Sequence, residues 1–293
     1  MQIPTVQFTK TRIAPTPSGY LHLGNVLSFA LTASLAKQTG AKTLLRIDDL
    51  DRQRANKLYV QDIFDTLNFL EIPWDEGPRN LQEYESGWSQ VHRMAFYQSL
   101  LQQLKESGEV FACQCSRVQI QSCTCRNKAI PLDAPDTSWR LITNKEKEIT
   151  VNTLNNGIIK TTLPAALHNF VVKKKDGYPS YQLTSLADDL HYGVDLVVRG
   201  EDLWPSTMAQ HYLAGVLKKA DFSKTTFHHH PLIVIDGEKL SKSAGATSVR
   251  YLREHDKTAT AVYKEIGRMM GIDGDLRSFE NFFTWCNLKG QAH

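Results

Sequence analysis

The sequence predicts an α/β chain, a parallel nucleotide-binding sheet whose strand and helix alternation is broken by a long insertion and then resumed. Three observations lead there. A short apolar run, Val6 to Ala14 interrupted by Lys10 and Arg12, passes into a Pro, Ser and Gly cluster, and a periodic helix pattern begins at Gly24. The compact run TLLRI, Thr43 to Ile47, suits a strand buried on both faces. It ends in Asp48, Asp49 and Asp51, at the end where open α/β sheets gather ligand groups. From Phe111 to about Asp195 the pattern changes to short β-like runs with polar breaks, and DLVVRGEDL, Asp195 to Leu203, then restores the strand-and-loop logic.

The remaining elements follow in order. Asn25 to Gln38 carries an apolar helical face, with Gly40 placed to end it. Lys57 to Leu70 is a helix, Glu71 to Asn80 a loop by its Pro and Gly content, and Gln90 to Ser107 a helix again. In VVKKKDGYPSYQL the pair Asp176-Gly177 signals a two-residue hairpin. Thr207 to Lys219 is helical, Pro231 to Asp236 strand-like, and Ser248 to His293 two or three helices. There is no internal repeat, no GxGxxG after a strand and no GxxxxGK[ST], so the common dinucleotide and P-loop readings fail.

With 293 residues, 41% hydrophobic and 22% charged, the chain can bury a core as one domain with an insertion or as two modest domains. The net charge of +3 permits a nucleic-acid partner without demanding one, because the lysines come in small groups: Lys173 to Lys175, Lys218 with Lys219, Lys239 with Lys242. Scattered solvated surface explains them equally well. No stretch approaches the roughly eighteen apolar residues of a membrane span, and MQIPTVQFTKTR has no signal-peptide core, so the expected protein is cytoplasmic with no membrane partner.

Thr11 to Asn25, TRIAPTPSGYLHLGN, would aim free backbone N–H groups and a helix dipole at one point, where a phosphate is the natural guest. His22 stands there. Lys239 and Lys242 in KLSKS, on a loop of small residues, could clamp the phosphates from the other side; the bland alternative is an ordinary surface loop. Asp49 and Asp51 could equally form a solvated turn that caps the helix from Lys57. Cys113, Cys115, Cys123 and Cys125 read CxC, seven residues, CxC, a set suited to a tetrahedral structural zinc. Reduced thiols or a disulfide are the alternatives. Cys286 reads as a small buried hydrophobe. His228, His229 and His230 alternate faces on a strand, so packing is preferred to a metal site.

YLHLGN resembles the HIGH motif, and KLSKS the KMSKS motif, of class I aminoacyl-tRNA synthetases. APTPSGYLHLG, LLRIDDLDR, PWDEGP, GYPSYQLTSLADD, VVRGEDL and KLSKS, in that order over about residues 8 to 270, resemble the catalytic half of the glutamyl- and glutaminyl-tRNA synthetases. The resemblance implies a Rossmann-like parallel sheet with an inserted α+β zinc-containing domain and C-terminal helices. The implied boundaries are 1–108 and 195–246 for the two catalytic halves, 109–194 for the insertion and 247–293 for a helical stem-contact region. It further implies that His22, Gly24, Asn25, Lys239 and Lys242 serve ATP, with Mg²⁺ arriving on the nucleotide. Arg12, Ala14, Pro15, Thr16, Asp48, Tyr181 and Arg199 would receive the amino acid. Two arginines on one small ligand favour a dicarboxylate, L-glutamate; structural ion pairs with Asp48 and Glu201 are the alternative. Asp48 departs from the glutamate that glutamyl enzymes usually carry and is more like the glutaminyl branch. The family's zinc knuckle often uses a tyrosine or histidine as one ligand, where this chain has four cysteines.

Only 50 residues follow Ser243, too few for a large anticodon-binding domain. In this the sequence resembles the glutamyl-queuosine tRNA(Asp) synthetase branch. The resemblance implies activation of glutamate without tRNA, attachment to the queuosine base of tRNA-Asp, and a monomer. The alternatives are a short synthetase that charges a tRNA 3′ end, a small nucleotidylyltransferase with a similar opening loop, and a non-catalytic tRNA-binding paralogue.

Overall fold

The computed structural model describes residues 7–116, 118–232, 234–235, 238–239, 248–255, 257–272 and 274–291. The chain runs β1 (Lys10–Ile13), α1 (Leu23–Thr39), β2 (Lys42–Leu45), α2 (Lys57–Phe69), the single turn α3 (Leu81–Glu83) and α4 (Met94–Glu106). Five strands follow: β3 (Val110–Cys113), β4 (Ser138–Leu141), β5 (Glu148–Thr153), β6 (Gly157–Thr162) and β7 (Val171–Lys173). Then come α5 (Tyr181–His191), β8 (Leu196–Gly200), α6 (Trp204–Val216), β9 (Thr226–His230), β10 (Val234–Ile235), β11 (Glu238–Lys239), α7 (Val249–Glu254), α8 (Ala259–Met269) and α9 (Phe279–Gln291). The chain divides into two compact units, Met1–His92 with Gly193–Asp202 and Thr226–His293, and Arg93–Tyr192 with Leu203–Thr225.

In the first unit four parallel strands stand in the order β2-β1-β8-β9. Ile13, Leu44, Leu45, Val197 and Phe227 are almost fully buried, as expected of strands covered on both faces. β2 leaves its ladder at Leu45, but Arg46 N–H still donates to Ile13 O at 2.9 Å and Asp48 N–H to Pro15 O at 2.9 Å, so the acids emerge held against the first loop. At the opposite end Asp195 accepts from the backbone N–H of Thr9 and Lys10, at 2.8 and 2.9 Å, closing the edge. α1 is capped by His22 and stopped by Gly40 at φ 75°, a left-handed position that glycine adopts without a Cβ penalty. Its burial extends well beyond the single face expected: Phe29, Ala33 and Ala36 are covered as well as Val26, Leu27, Ala30, Leu31 and Leu35. α9 packs on α1, with Lys37 donating to Glu280.

Three expectations shift. α2 is capped by Asn56, whose side chain accepts from Leu58 N–H at 2.9 Å, and not by the acid cluster. The sheet strand is β9, through the histidines, rather than Pro231 to Asp236; Pro231 has no N–H to continue the ladder, and β10 and β11 form a separate antiparallel pair. The helix expected from Gln90 opens as a 3-10 turn, Gln90–Arg93, before α4.

The second unit contains the antiparallel sheet β3-β4-β7, the hairpin β5-β6, and α4, α5 and α6. Within it Arg93 donates to the buried Asp188 at 2.8 Å and Tyr97 Oη to the same carboxylate at 2.7 Å. Asp176-Gly177 does turn the chain, with Gly177 at φ 85° and Tyr178 N–H donating to Asp176 at 3.0 Å. The return arm is a single bridge, Lys173 to Pro179, because α5 begins at Tyr181. No helix among the described residues is long and apolar enough to cross a membrane.

Candidate active site and cysteine cluster

Side chains alternate faces along a strand. With Thr11 in register with Leu196, Arg12 falls beside Val197 and on the same face as Arg199. Arg199 is the register partner of His229, so β1, β8 and β9 each place one nitrogen-rich side chain on this face. Arg12 and Arg199 are only 4% and 3% exposed. The Arg12 guanidinium donates to Val198 O at 3.3 Å, and that of Arg199 lies 5.2 Å from the Phe227 ring centroid. The His229 ring runs nearly parallel to Phe227 at 6.1 Å. Burial, and then the Arg199 charge, push His229 down to about 3, so its imidazole is neutral at neutral pH. Two guanidiniums beside a neutral imidazole suit a carboxylate. His229 was not among the residues expected in the site. Its signal was the period-two alternation through the histidine triplet, which the sequence alone assigns to packing.

The acids separate by environment. Asp48 is 7% exposed and receives Arg46 bidentately, Nε to Oδ1 at 2.7 Å and a second nitrogen to Oδ2 at 3.1 Å. Asp49 is fully buried and accepts from Tyr84 Oη at 2.6 Å and Gln90 N–H at 2.9 Å, as well as from Ser89 Oγ. It is a tie between loops, not part of a solvated turn. Asp51 lies at the surface with Arg54. In the first loop Pro15 is buried, Ala14 and Thr16 are half-buried, and Thr16 O accepts from Ser18 N–H at 2.8 Å. Tyr181, the first residue of α5, belongs to the second unit and is 39% exposed.

His22 and Asn25 cap α1 reciprocally. His22 Nδ1 accepts from Asn25 N–H at 3.3 Å, and Asn25 Oδ1 accepts from His22 N–H at 3.1 Å. With Nδ1 an acceptor, the neutral ring carries its proton on Nε2, a donor at a helix N-terminus. A Cβ on Gly24 would lie 3.1 Å from the His22 ring, so this glycine makes room for the imidazole itself. The Asn25 side-chain oxygen is engaged by the cap. Lys242 lies outside the described residues, as does the Lys239 side chain. The chain that follows them, however, returns to His22: Ser248 bridges to it, and Val249 N–H donates to Leu21 O at 2.8 Å. Arg250 hydrogen-bonds Tyr20 and covers its ring, while Arg253 donates to Asp62 at 2.8 Å.

The family model for tRNA synthetases class I (E and Q), catalytic domain, matches residues 9–138 and 133–285. The chain belongs to this family. It is 30% identical to the glutamate–tRNA ligase of Nitrosospira multiformis over 298 residues, spanning 95% of this chain and 61% of the relative. It is 29% identical to that of Nitrosomonas europaea, over 95% of this chain and 62% of the relative. The chain thus spans about three fifths of these relatives' length. A glutamate tRNA ligase from Elizabethkingia meningosepticum, crystallised in complex with its amino acid, superposes with a TM-score of 0.73 at 20% identity, covering 94% of this chain and 64% of that one. The synthetase of Elizabethkingia anophelis gives 0.74 at 22% identity, over 94% and 65%. At these identities the superpositions establish the Rossmann-like class I synthetase fold.

This member of the family carries a compact thiol cluster. The sulfurs of Cys113, Cys115, Cys123 and Cys125 all lie within 4.8 Å of one another, with Cys113–Cys123 and Cys115–Cys125 both at 3.6 Å. A disulfide needs about 2.05 Å, so none is formed. A tetrahedron of sulfurs about 2.3 Å from a zinc has edges of about 3.8 Å. The donor set and its spacing therefore fit a structural zinc. β3 delivers Cys113, a short 3-10 turn spans Gln119–Ser122, and a second begins at Cys125.

Proposed function

We propose that the chain activates L-glutamate with ATP and transfers it to a hydroxyl of a tRNA. What carries the proposal is the placement of Arg12 and Arg199 on one sheet face, in the strand-end region that also holds Asp48 and the helix N-terminus capped by His22. In the first step a carboxylate oxygen of glutamate attacks the α-phosphorus of ATP, and pyrophosphate leaves with the broken bond's electrons. In the second the tRNA hydroxyl attacks the mixed anhydride, loses its proton, and AMP departs. No side chain has to become covalently bound, so the protein's contribution is positioning and charge stabilisation.

Arg12 and Arg199 would hold the substrate's side-chain carboxylate, with Tyr181 assigned to the amino acid by resemblance alone. Asp48 would take the ammonium group while sharing its carboxylate with Arg46, which anchors the shorter acid. His22 Nε2–H would donate to phosphate oxygens, and Lys239 and Lys242 would contribute their charges. Mg²⁺ would enter on the nucleotide's phosphates, and zinc on the four cysteines would order the segment that carries them.

Amino-acid-dependent pyrophosphate exchange tests the reading across glutamate, glutamine and aspartate, with and without tRNA. Glutamate-dependent exchange is expected, lowered roughly tenfold or more in His22→Ala, the scale of one lost charge-stabilising contact. Exchange with none of the three would end the proposal. The finer reading, acylation of the queuosine base of tRNA-Asp, is supported by the sequence resemblance. It requires exchange without tRNA, and a glutamyl label that stays with the anticodon-loop fragment after nuclease cleavage and is lost from tRNA lacking queuosine. Label confined to the 3′ end would favour ordinary charging.

A further inference from the structure

We propose that a cleft in the second unit, walled by Lys147, Lys218 and Lys219, binds the phosphodiester oxyanions of an RNA strand. The cleft has a volume of about 380 Å³ and opens between the start of β5 and the end of α6. Ile149, Tyr212 and Ala214 form its apolar floor. Its three ammonium groups come from two segments 71 residues apart, and among the described residues none has an acidic partner within 4 Å. Their neighbours differ: Lys160 is paired with Glu148 at 3.0 Å and Lys224 with Asp221 at 2.8 Å.

The C-terminus of α6 does not need the Lys218 and Lys219 side chains as hydrogen-bond caps. Its last carbonyls are already served by the backbone: Lys219 N–H donates to Ala214 O at 2.8 Å, Lys218 N–H to Gly215 O at 3.3 Å and Leu217 N–H to Leu213 O at 2.9 Å. This double closure places Lys218 at φ 55°, the left-handed position that glycine usually fills. A lysine kept in such a conformation points to a use for its side chain. Across the cleft, Tyr212 Oη accepts from Asn144 N–H at 2.7 Å and its ring carries the Lys147 ammonium at 4.7 Å, which together order that wall.

The apolar floor offers no converging N–H donors of the kind that cage a single small anion. Point charges on long stems around an open cleft suit a polyanion's backbone. That the polyanion is a tRNA rests on the function proposed above; the lysine cleft does not.

The test is binding of total bacterial tRNA to the full chain at 50–200 mM KCl. Lys218→Gly should raise the melting temperature, by relieving the backbone, and yet weaken tRNA binding about threefold. The triple variant Lys147→Ser, Lys218→Gly, Lys219→Ser should flatten the log–log salt slope by about 2, for three lost contacts at about 0.7 each. The charge-matched control Lys57→Ser, Lys224→Ser, Lys264→Ser, at three lysines each paired with an acid, should change it far less. Equal losses in the control, an unaltered slope in the triple variant, or displacement of tRNA by 10 mM inorganic phosphate at constant ionic strength would each overturn the proposal. Glutamate-dependent exchange by the wild-type chain, measured both with and without tRNA, separates the two readings. Its absence, with the lysine effect intact, sinks the activation reading and leaves the cleft. Its presence, with lysine variants that bind like the wild type, sinks only the cleft.

Discussion

The cysteine cluster and the arginine face solve the same problem, holding several like polar groups together, in opposite ways. The four cysteines lie within 13 residues of one another, on one strand end and two short turns. Little besides local chain geometry and a bound cation can keep four thiolates at van der Waals distance. Arg12, Arg199 and His229 come from three strands spread over more than two hundred residues, and the register of a buried sheet holds them. The first arrangement would depend on a bound cation for its stability. The second is set in place by the fold before any ligand arrives, as recognition of a small anion requires.

Predictions can break this contrast, and the largest concerns the metal. Cys115→Ser, or a strong chelator, should lower stability and remove amide-exchange protection across residues 110–141, since a structural zinc contributes about 10–16 kcal/mol of binding free energy. Unchanged melting and protection would leave the cluster without a metal role. Next, Asp49→Ala should cost about 3 kcal/mol in urea unfolding by stranding buried donors on Tyr84 and Gln90, a penalty that Asp51→Ala at the surface should not share.

Arg199→Met should lower kcat/KM for glutamate by about a hundredfold or more, the roughly 3 kcal/mol of an unpaired buried carboxylate, with the melting temperature little changed. A large loss of stability would instead make Arg199 a structural residue. The sheet's histidines give a pH signature. Burial holds His228 down to about 4, so the unfolded chain takes up its proton first. That contribution to stability is complete above about pH 6.5 and is lost, at about 1.4 kcal/mol per pH unit, as the pH falls from there towards 4. His228→Gln should flatten this limb; a slope identical to the wild type's would refute the assignment. Smallest, Asn56→Ala should cost about 1 kcal/mol through the lost α2 cap.

The contrast also explains what was legible in the chain. The thiol set, the strand-to-helix loop ending at His22, and Gly40 as a helix stop are consequences of short-range chemistry, and each stands where the residues place it. Position is another matter for Asp48 and Asp49, adjacent in sequence and alike in type. One meets Arg46, and the other disappears beneath Tyr84 and Ser89 from a loop some forty residues away.

By itself, then, the sequence determined the alternation of strands and helices, the interruption between them, the family motifs and the cysteine spacing, because these depend on periodicity, backbone preference and nearest neighbours. Only the tertiary structure decided which strand carries the histidines, that His229 stands beside Arg199, that Gly24 makes room for the His22 ring, and that Lys218 occupies a glycine's conformation. Sheet register and helix closure are settled by packing between residues far apart in the chain, and a shift of one residue along a strand would have turned Arg12 or His229 to the other face.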